Sequence, residues 1–440
     1  NETAFDFKAS NEKHKVLLAV IDSGVDYNHP YLLEHMHFDL DENNQPIGNG
    51  FDFIGNDRWP SPYLAASADI NPEAPAEKAT EAKNVINNIT TVLSLIPELS
   101  SVVSPLRRLD QEIESGSYHG THVAGLMTYD VPEIGLLGYR VLPHNVVFKA
   151  QEVDASVDQT EIFLNNLENS IKDAAVKGVK VINMSLGMNT ERDSKGDNSQ
   201  DYQEFLKKMG RIEKLVKQNP QIAFVAAAGN DGAWVNERAR LQLPCGIKAQ
   251  NILCVGALDQ EGELASFSNI LLTNYPYILA PGEEIISTFP MKMCHFESDG
   301  MSSETAPLKT DGEESIWASL EKATDFAKTM QQRCTEHNGF VKLSGTSMAS
   351  PIVARAIGQV FLRFPNASGQ EAIQLLLAGG EEYKAGVLTL KKLKIAKPSW
   401  YKLEQNLAFA TSTISGLKSK YAPKVSEEYF EFVGAKKSKK

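Results

Sequence analysis

Apolar runs and helical periodicities take turns along this chain. Val16-Leu17-Leu18-Ala19-Val20-Ile21 and Ile222-Ala223-Phe224-Val225-Ala226-Ala227 are continuous apolar stretches, and Val146 to Ala150 and Val179 to Met184 read as further strands. Strands buried on both faces have this signature, because no position along them meets water. Between these runs the spacing changes. Glu161 to Val176 places Phe163, Leu167, Ile171 and Ala174 on one helical face, Phe205 to Val216 reads as a second helix, and Ile352 to Leu362 supplies an apolar third. Alternation of this kind predicts an α/β fold: a three-layer, doubly wound, mostly parallel sheet with helices on both faces.

Other stretches interrupt the alternation. From Asp39 to Pro62 the chain is rich in Asp, Asn, Gly and Pro and reads as loops. Residues 64 to 113 read as a helical insertion, with Ile86, Ile89, Leu93 and Ile96 on one face and Pro97 ending the pattern. Further insertions are expected over Met188 to Gln203 and Met291 to Phe340. Past Lys391 the composition shifts towards lysine, and the chain closes on Gly434-Ala435-Lys436-Lys437-Ser438-Lys439-Lys440, which reads as a solvated, frayed tail.

Composition narrows the function classes. At 440 residues, 42% of them hydrophobic and 23% charged, this is an ordinary globular chain with room for a large core. A net charge of -12 argues against nucleic acid as the main partner. No stretch of about 20 apolar residues is present, so no membrane span is expected. The chain begins at Asn1 with no charged-then-apolar leader ahead of it, so a processed chain is expected, its targeting or pro-segments already removed. Four cysteines fall as two close pairs, Cys245 with Cys254 and Cys294 with Cys334. Disulfides and an oxidising compartment fit that pattern; the alternative is reduced cysteines serving as small core hydrophobes. Neither pair has the CxxC spacing of a structural zinc site.

Candidate chemistry collects at element ends. Ser347 lies in Gly345-Thr346-Ser347-Met348-Ala349-Ser350-Pro351, a run of small residues at the start of a helix that would present its hydroxyl to a cleft. A serine hydroxyl is a weak nucleophile until a neighbouring base takes its proton, so a histidine and its orienting group are required. His119, in Ser117-Tyr118-His119-Gly120-Thr121-His122-Val123-Ala124-Gly125, stands at a helix start facing out of the sheet, while His122 reads as a hydrogen-bonded core or surface histidine. Asp22 ends the first strand, at the carboxyl edge where ligands gather in open α/β folds. Asn230, in Ala227-Ala228-Gly229-Asn230-Asp231-Gly232, ends another strand and could offer an amide donor to the same cleft, although the turn alone would explain it. Ser185-Leu186-Gly187, again at a strand end, reads as exposed backbone able to pair with an extended peptide. Asp39, Asp41, Glu42 and Asn43 could offer oxygens to calcium, but a solvated acidic loop is the better reading.

Together these stretches resemble the subtilisin-like serine protease family. Asp-Ser-Gly at 22 to 24, His-Gly-Thr-His-Val-Ala-Gly at 119 to 125, Ala-Ala-Gly-Asn at 227 to 230 and Gly-Thr-Ser-Met-Ala-Ser-Pro at 345 to 351 match its signatures in chain order, from about Lys15 to Phe364. The resemblance implies a serine endopeptidase with Ser347 as nucleophile, His119 as base and Asp22 as its orienting carboxylate. It implies that Asn230 and the Ser347 N–H bind the oxyanion, and that Ser185, Leu186 and Gly187 pair with the substrate backbone. Protein or peptide substrates and a pro-segment acting as inhibitor follow from the same likeness, while the oxidising compartment suggested by the cysteine pairs gives the expectation of a secreted or periplasmic location. A peptidase domain is expected over residues 1–410, carrying the helical insertion at about 64–113 and a cysteine-bracketed insertion at about 291–340 beside the cleft, followed by a lysine-containing extension over 411–440.

Departures from the pattern are few. The stretch between Asp22 and His119 is longer than compact members need, and Ile352 stands where many members carry a histidine that takes no part in the chemistry. No cofactor is required for this chemistry. Structural calcium is common in the family, but Asp130 to Gly135 is a loose match to its calcium loop, so the metal ligands stay unassigned. A catalytically silent binding scaffold is the competing reading, and retention of Asp22, His119, Asn230 and Ser347 together favours the enzyme. The related carboxyl-type peptidases use a glutamate where this chain has His119.

Overall fold

The computed structural model describes residues 5–27, 29–61, 118–142, 159–191, 200–235, 240–271, 276–290, 339–385 and 388–393. The first segments hold α1 (Phe7–Lys13), β1 (Val16–Asp22), β2 (Asp39–Leu40), β3 (Pro46–Gly48) and β4 (Gly50–Asp52). Then come α2 (Tyr118–Thr128), β5 (Ile134–Arg140), α3 (Gln159–Val176), β6 (Val181–Met184), β7 (Met188–Glu191), α4 (Gln200–Gln218) and β8 (Ala223–Ala227). Short strands β9 (Trp234–Val235) and β10 (Arg240–Leu243) lead to β11 (Ile252–Leu258), β12 (Ile270–Leu271), β13 (Tyr277–Pro281), β14 (Ile285–Thr288) and β15 (Phe340–Leu343). The last elements are α5 (Thr346–Arg363), α6 (Gly369–Ala378), β16 (Glu381–Ala385) and β17 (Leu388–Lys392).

Nine strands form the main sheet in the order β16-β17-β13-β11-β8-β6-β1-β5-β4. All its pairings are parallel except the β16–β17 hairpin at one edge. Because side chains alternate along a strand, the apolar run of β1 feeds two cores. Leu18 and Val20 join the core under α2, α5 and α6, which includes Val123, Leu126, Ile352, Ile357 and Ile373. Ala19 and Ile21 join the other, under α3 and α4, with Leu167, Ile171, Ile212 and Val216. The same alternation splits β8, where Ala223 and Val225 face one way and Phe224 and Ala226 the other. The result is the expected three-layer α/β arrangement.

Several details differ from the reading of the sequence. Leu164, not Phe163, takes the first inward position of α3; Phe163 is only half-buried, one residue off the buried stripe. The stretch read as loops from Asp39 contains a short hairpin, β2 with β3, and an edge strand of the main sheet, β4. Met188 to Gln203 is not wholly an insertion: β7 pairs antiparallel with β10, and α4 begins at Gln200. These strands are two to four residues long, so their pairing is set by neighbours in space rather than by a local pattern.

The described residues contain the disulfide Cys245–Cys254, which ties the turn after β10 to β11 with its Cα atoms 4.9 Å apart. Cys294 and Cys334, the helical insertion at 64–113, the stretch 291–338, the strand expected over Val146 to Ala150 and the extension at 411–440 lie outside the described residues. No helix among those described is long and apolar enough to cross a membrane.

Candidate active site

Three of the strand ends on the carboxyl edge of the sheet carry residues singled out above. Asp22 is the last residue of β1 and is fully buried. Ser185 follows β6, and the register Val20↔Asn183 sets Asp22 and Ser185 abreast at the ends of neighbouring strands. Neighbouring strands lie about 4.8 Å apart, so groups hung from these two ends share one rim. Asn230 lies beyond β8, and the chain after β13 passes Gly282, whose carbonyl accepts from Gly345 N–H (2.8 Å) just ahead of α5.

The motif around His119 is built to bring α2 hard against that rim. A Cβ on Gly120 would stand 2.1 Å from the Gly24 carbonyl oxygen, so only glycine permits the approach. Gly120 N–H donates to Ser23 Oγ (3.1 Å), and Asp26 N–H donates to Thr121 Oγ1 (2.9 Å). On the far side, Thr288 Oγ1 donates to the Thr121 carbonyl and Ser287 Oγ to the His122 carbonyl, both at 2.7 Å. A Cβ on Gly125 would meet Ser287 Oγ and Thr288 Oγ1 at 2.4 Å, so β14 packs against the helix as closely as β1 does. His122 is fully buried with Nε2 3.2 Å from the Val341 carbonyl, and burial depresses its pKa to about 3. Of the two settings its sequence left open, core or surface, it occupies the core.

His119 is thereby aimed at Asp22. Its Nδ1–H donates to Asp22 Oδ1 (2.8 Å) and Oδ2 (3.0 Å), which leaves Nε2 as the ring's lone-pair nitrogen. The imidazole keeps 25% of its surface exposed while the carboxylate has none. Burial alone would depress the histidine pKa, but the Asp22 charge and hydrogen bond outweigh it, so the imidazole holds its proton to higher pH than a free histidine. Asp22 Oδ1 also accepts from Ser23 N–H (2.7 Å), which locks the carboxylate plane.

Ser347 is the second residue of α5 and is half-buried. At this position its backbone N–H belongs to the first-turn donors that a helix leaves unpaired. Its Oγ donates to the Ser185 carbonyl (3.3 Å), and among the described residues no hydrogen bond joins it to the His119 ring. Asn230 is exposed, and its Oδ1 accepts from both Thr346 N–H (2.8 Å) and Thr346 Oγ1 (3.0 Å). With the oxygen so held, Nδ2 is the end left to donate, and it lies beside Gly345. Thr346 Oγ1 in turn accepts from Gly229 N–H (3.0 Å).

One expectation is corrected here. Ser185-Leu186-Gly187 is not an exposed segment throughout: Ser185 and Leu186 are buried, at 4% and 8% exposure, and only Gly187 is open. The Ser185 side chain is drawn inward by α5, and Leu186 joins the core under α3 and α4. The acidic loop is likewise already satisfied. Asp39 pairs with Lys177 (2.6 Å), and Asp41 Oδ1 accepts from Asn43 and Gln45 N–H (2.8 and 2.7 Å), an Asx turn at the hairpin tip. Among the described residues no set of three or more His, Cys, Asp or Glu could hold a metal ion. Reading the motifs did not single out Thr346, Ser23, Asn183 or Ser350, although the first two lie inside motifs next to residues that were named.

A helix-borne imidazole on a buried carboxylate, with a serine at another helix start on the same sheet edge, defines an α/β class in which one rim gathers a hydrogen-bonded Asp–His pair and a serine hydroxyl. The description "Subtilase family" (Peptidase_S8) matches residues 13–385, and the chain belongs to that family. It is 26% identical over 272 residues to the thermophilic serine proteinase of Bacillus sp. (strain AK1), covering 62% of this chain and 45% of that protein. With subtilisin DY from Bacillus licheniformis it shares 26% identity over 256 residues, covering 58% and 68% respectively. The chain thus spans less than half the length of the first of these relatives. Among solved structures, the nisin leader peptidase NisP from Lactococcus lactis superimposes with a TM-score of 0.47 at 19% identity, covering 91% of this chain and 93% of that one.

Proposed function

We propose that this protein is a serine endopeptidase that cuts peptide bonds through Asp22, His119 and Ser347. The observation that carries the reading is the Asp22–His119 pair, bonded at 2.8 and 3.0 Å, with the Ser347 hydroxyl tied to the end of the adjacent strand. His119 Nε2 takes the Ser347 proton as Oγ bonds to the substrate carbonyl carbon, whose π electrons move onto oxygen. Asn230 Nδ2 and the Ser347 N–H face that oxyanion, and losing one such donor costs about 3 to 4 kcal/mol in the transition state. The proton on His119 Nε2 then passes to the amide nitrogen as the C–N bond breaks, leaving an acyl-serine that water hydrolyses by the same route. Asp22 fixes the tautomer and stabilises the imidazolium throughout. Every proton transfer has a side chain assigned to it, so the cycle calls for no cofactor; calcium, if bound, would act on stability.

Ser185, Leu186 and Gly187 form the strand-end backbone on which an extended peptide would lie on the acyl side of the cut, with Gly187 the open end. Substrates are therefore proteins or peptides, and an inhibitory pro-segment would occupy the same groove. The Cys245–Cys254 disulfide supports maturation in an oxidising compartment, either outside the cell or in a periplasm. The test is cleavage of a peptide library with and without a serine-directed inhibitor, beside a Ser347→Ala variant. The proposal expects internal cleavage that the inhibitor and the variant each remove, by about 10⁴-fold or more, with the fold unchanged. Cleavage persisting at the wild-type rate in Ser347→Ala would take that serine out of the mechanism.

A further inference from the structure

Ser185 enters the site twice, once through its carbonyl and once through its hydroxyl, and the hydroxyl serves neither the substrate backbone nor the proton relay. Its Oγ lies 2.9 Å from the Ser347 carbonyl oxygen, 2.9 Å from Asn183 Nδ2 and 2.7 Å from Ser350 Oγ. A serine hydroxyl has one proton to give and two lone pairs to receive. A carbonyl can only accept, so the Ser185 proton goes to Ser347 C=O. Asn183 Nδ2 can only donate, which fills one lone pair, and Ser350 Oγ must then donate into the other. The valence of the Ser185 hydroxyl is complete, with no capacity left over. Asn183 and Ser350 are fully buried and Ser185 nearly so, which removes water as a substitute partner.

The arrangement is also reciprocal. Ser347 Oγ donates to the Ser185 carbonyl (3.3 Å) while Ser185 Oγ donates to the Ser347 carbonyl (2.9 Å). The two residues stand 162 positions apart in the chain, one at the end of β6 and the other in the first turn of α5. Helix first turns fray, because their N–H groups lack intrahelical acceptors. Among the described residues this turn is also held to the sheet by Thr346 N–H and Oγ1, which bond to Asn230, by Gly229 N–H, which donates to Thr346 Oγ1, and by Gly345 N–H, which bonds to Gly282. None of those touches residue 347 itself.

We infer that Ser185 is a positioning residue for the nucleophile: its side-chain hydroxyl pins the backbone of Ser347 to the strand end next to Asp22, and so sets where Oγ stands relative to His119. This rests on the peptidase reading above and assigns Ser185 a role separate from pairing with substrate. A displacement of about 1 Å at a reacting group costs on the order of 10²-fold in rate, so the loss should appear in kcat. The substrate would still bind the unchanged carbonyl of residue 185, so KM should move little.

The experiment compares wild type, Ser347→Ala, Ser185→Ala and Ser10→Ala. Ser10 provides a matched control, being another buried serine whose hydroxyl bonds a carbonyl, that of Glu34 (3.2 Å), in α1 away from the site. Steady-state kinetics on one peptide substrate, the rate of inactivation by phenylmethylsulfonyl fluoride and Tm are measured for each. Ser185→Ala should lose about 10- to 100-fold in kcat and a similar factor in inactivation rate, with KM within about threefold. Ser10→Ala, which gives up one hydrogen bond where Ser185→Ala gives up three, should lower Tm by less and keep kcat and inactivation rate at the wild-type level. The inference is overturned if Ser185→Ala keeps kcat within twofold, if its loss is matched by Ser10→Ala, or if KM rises with kcat unchanged. A wild-type protein that hydrolyses nothing overturns the peptidase reading and this inference with it. Wild-type hydrolysis that disappears in Ser347→Ala yet is equal in Ser185→Ala overturns this inference alone.

Discussion

The two helix layers that cover the sheet are made differently. In α2 everything from Gly120 to Thr128 is buried, and α5 buries most of its length, including Ser350 and Arg355. In α3 and α4 only a stripe is buried, and the outer face carries an ion-pair network in which Arg211 meets Glu161 and Glu168. In the first layer α2 and most of α5 have little solvent side to spare, while α6 buries only Gly369, Ala372 and Ile373. The second is held by one apolar stripe and tolerates change elsewhere. The chemistry proposed above would sit at the starts of α2 and α5, where a shift in a helix moves an imidazole or a hydroxyl directly.

Glycine substitutions should separate the layers most sharply. Gly120→Ala sets a methyl 2.1 Å from the Gly24 carbonyl oxygen and 3.2 Å from Asp22 Cβ, and should cost about 3 kcal/mol and displace His119 from Asp22. Chemical denaturation and a loss of hydrolysis beyond the loss of folded protein would both report it. Gly210→Ala in α4 meets nothing within 4 Å and should stabilise by about 0.5 to 1 kcal/mol, since alanine is the better helix former. Equal effects at the two glycines would erase the distinction drawn here.

Acid should attack the first layer. Burial depresses His29 and His35 to a pKa of about 4 and His122 to about 3. His122 lies in α2, and His29 and His35 stack on Phe340 and Tyr31 of the same core. Neither α3 nor α4 contains a histidine. The unfolded chain takes up these protons from about pH 6.5, while the folded chain refuses them until its depressed values are reached. Stability from this source is complete above about pH 6.5 and drains as pH falls towards 4. Tm against pH measures the total, and hydrogen exchange should show α2 opening before α3. His119 has the opposite sign. Its raised pKa contributes stability below pH 6.5 that is lost as pH rises through the folded value, and hydrolysis should climb over that same range as Nε2 becomes free. A rate profile peaking below about pH 4 contradicts a histidine base.

The smallest effect belongs to the outer face. Arg211→Ala should cost less than about 1 kcal/mol, because these pairs are largely solvated and screened by salt. A larger loss, persisting at high salt, would mean that the second layer is as tightly specified as the first.

This contrast also explains what the sequence could disclose. The stripe of α3 and the apolar runs of β1 and β8 are local patterns, legible because burial repeats with the period of the element. The helix α2 shows no such period, being buried nearly all round, and only the small residues flanking His119 and His122 marked it. Asp22, His119, Ser347 and Asn230 were visible as residues at element ends, but their placement on one rim depends on strand order. The Ser185 joint could not be read, because its partner Ser350 stands 165 positions away and a buried serine looks like any other in sequence. Short strands such as β4 and β7 were missed for the same reason, since two to four residues carry no period.

The central claim is that Ser347 is a nucleophile activated through His119 and Asp22. Its most direct test is labelling of the native protein with a fluorophosphonate at pH 8, followed by mapping of the modified peptide, for wild type and His119→Ala. The account predicts a single stoichiometric adduct on Ser347 in the wild type and a loss of at least about 10³-fold in labelling rate when the imidazole is gone. An adduct on another serine, or labelling of Ser347 at the same rate without His119, would contradict it.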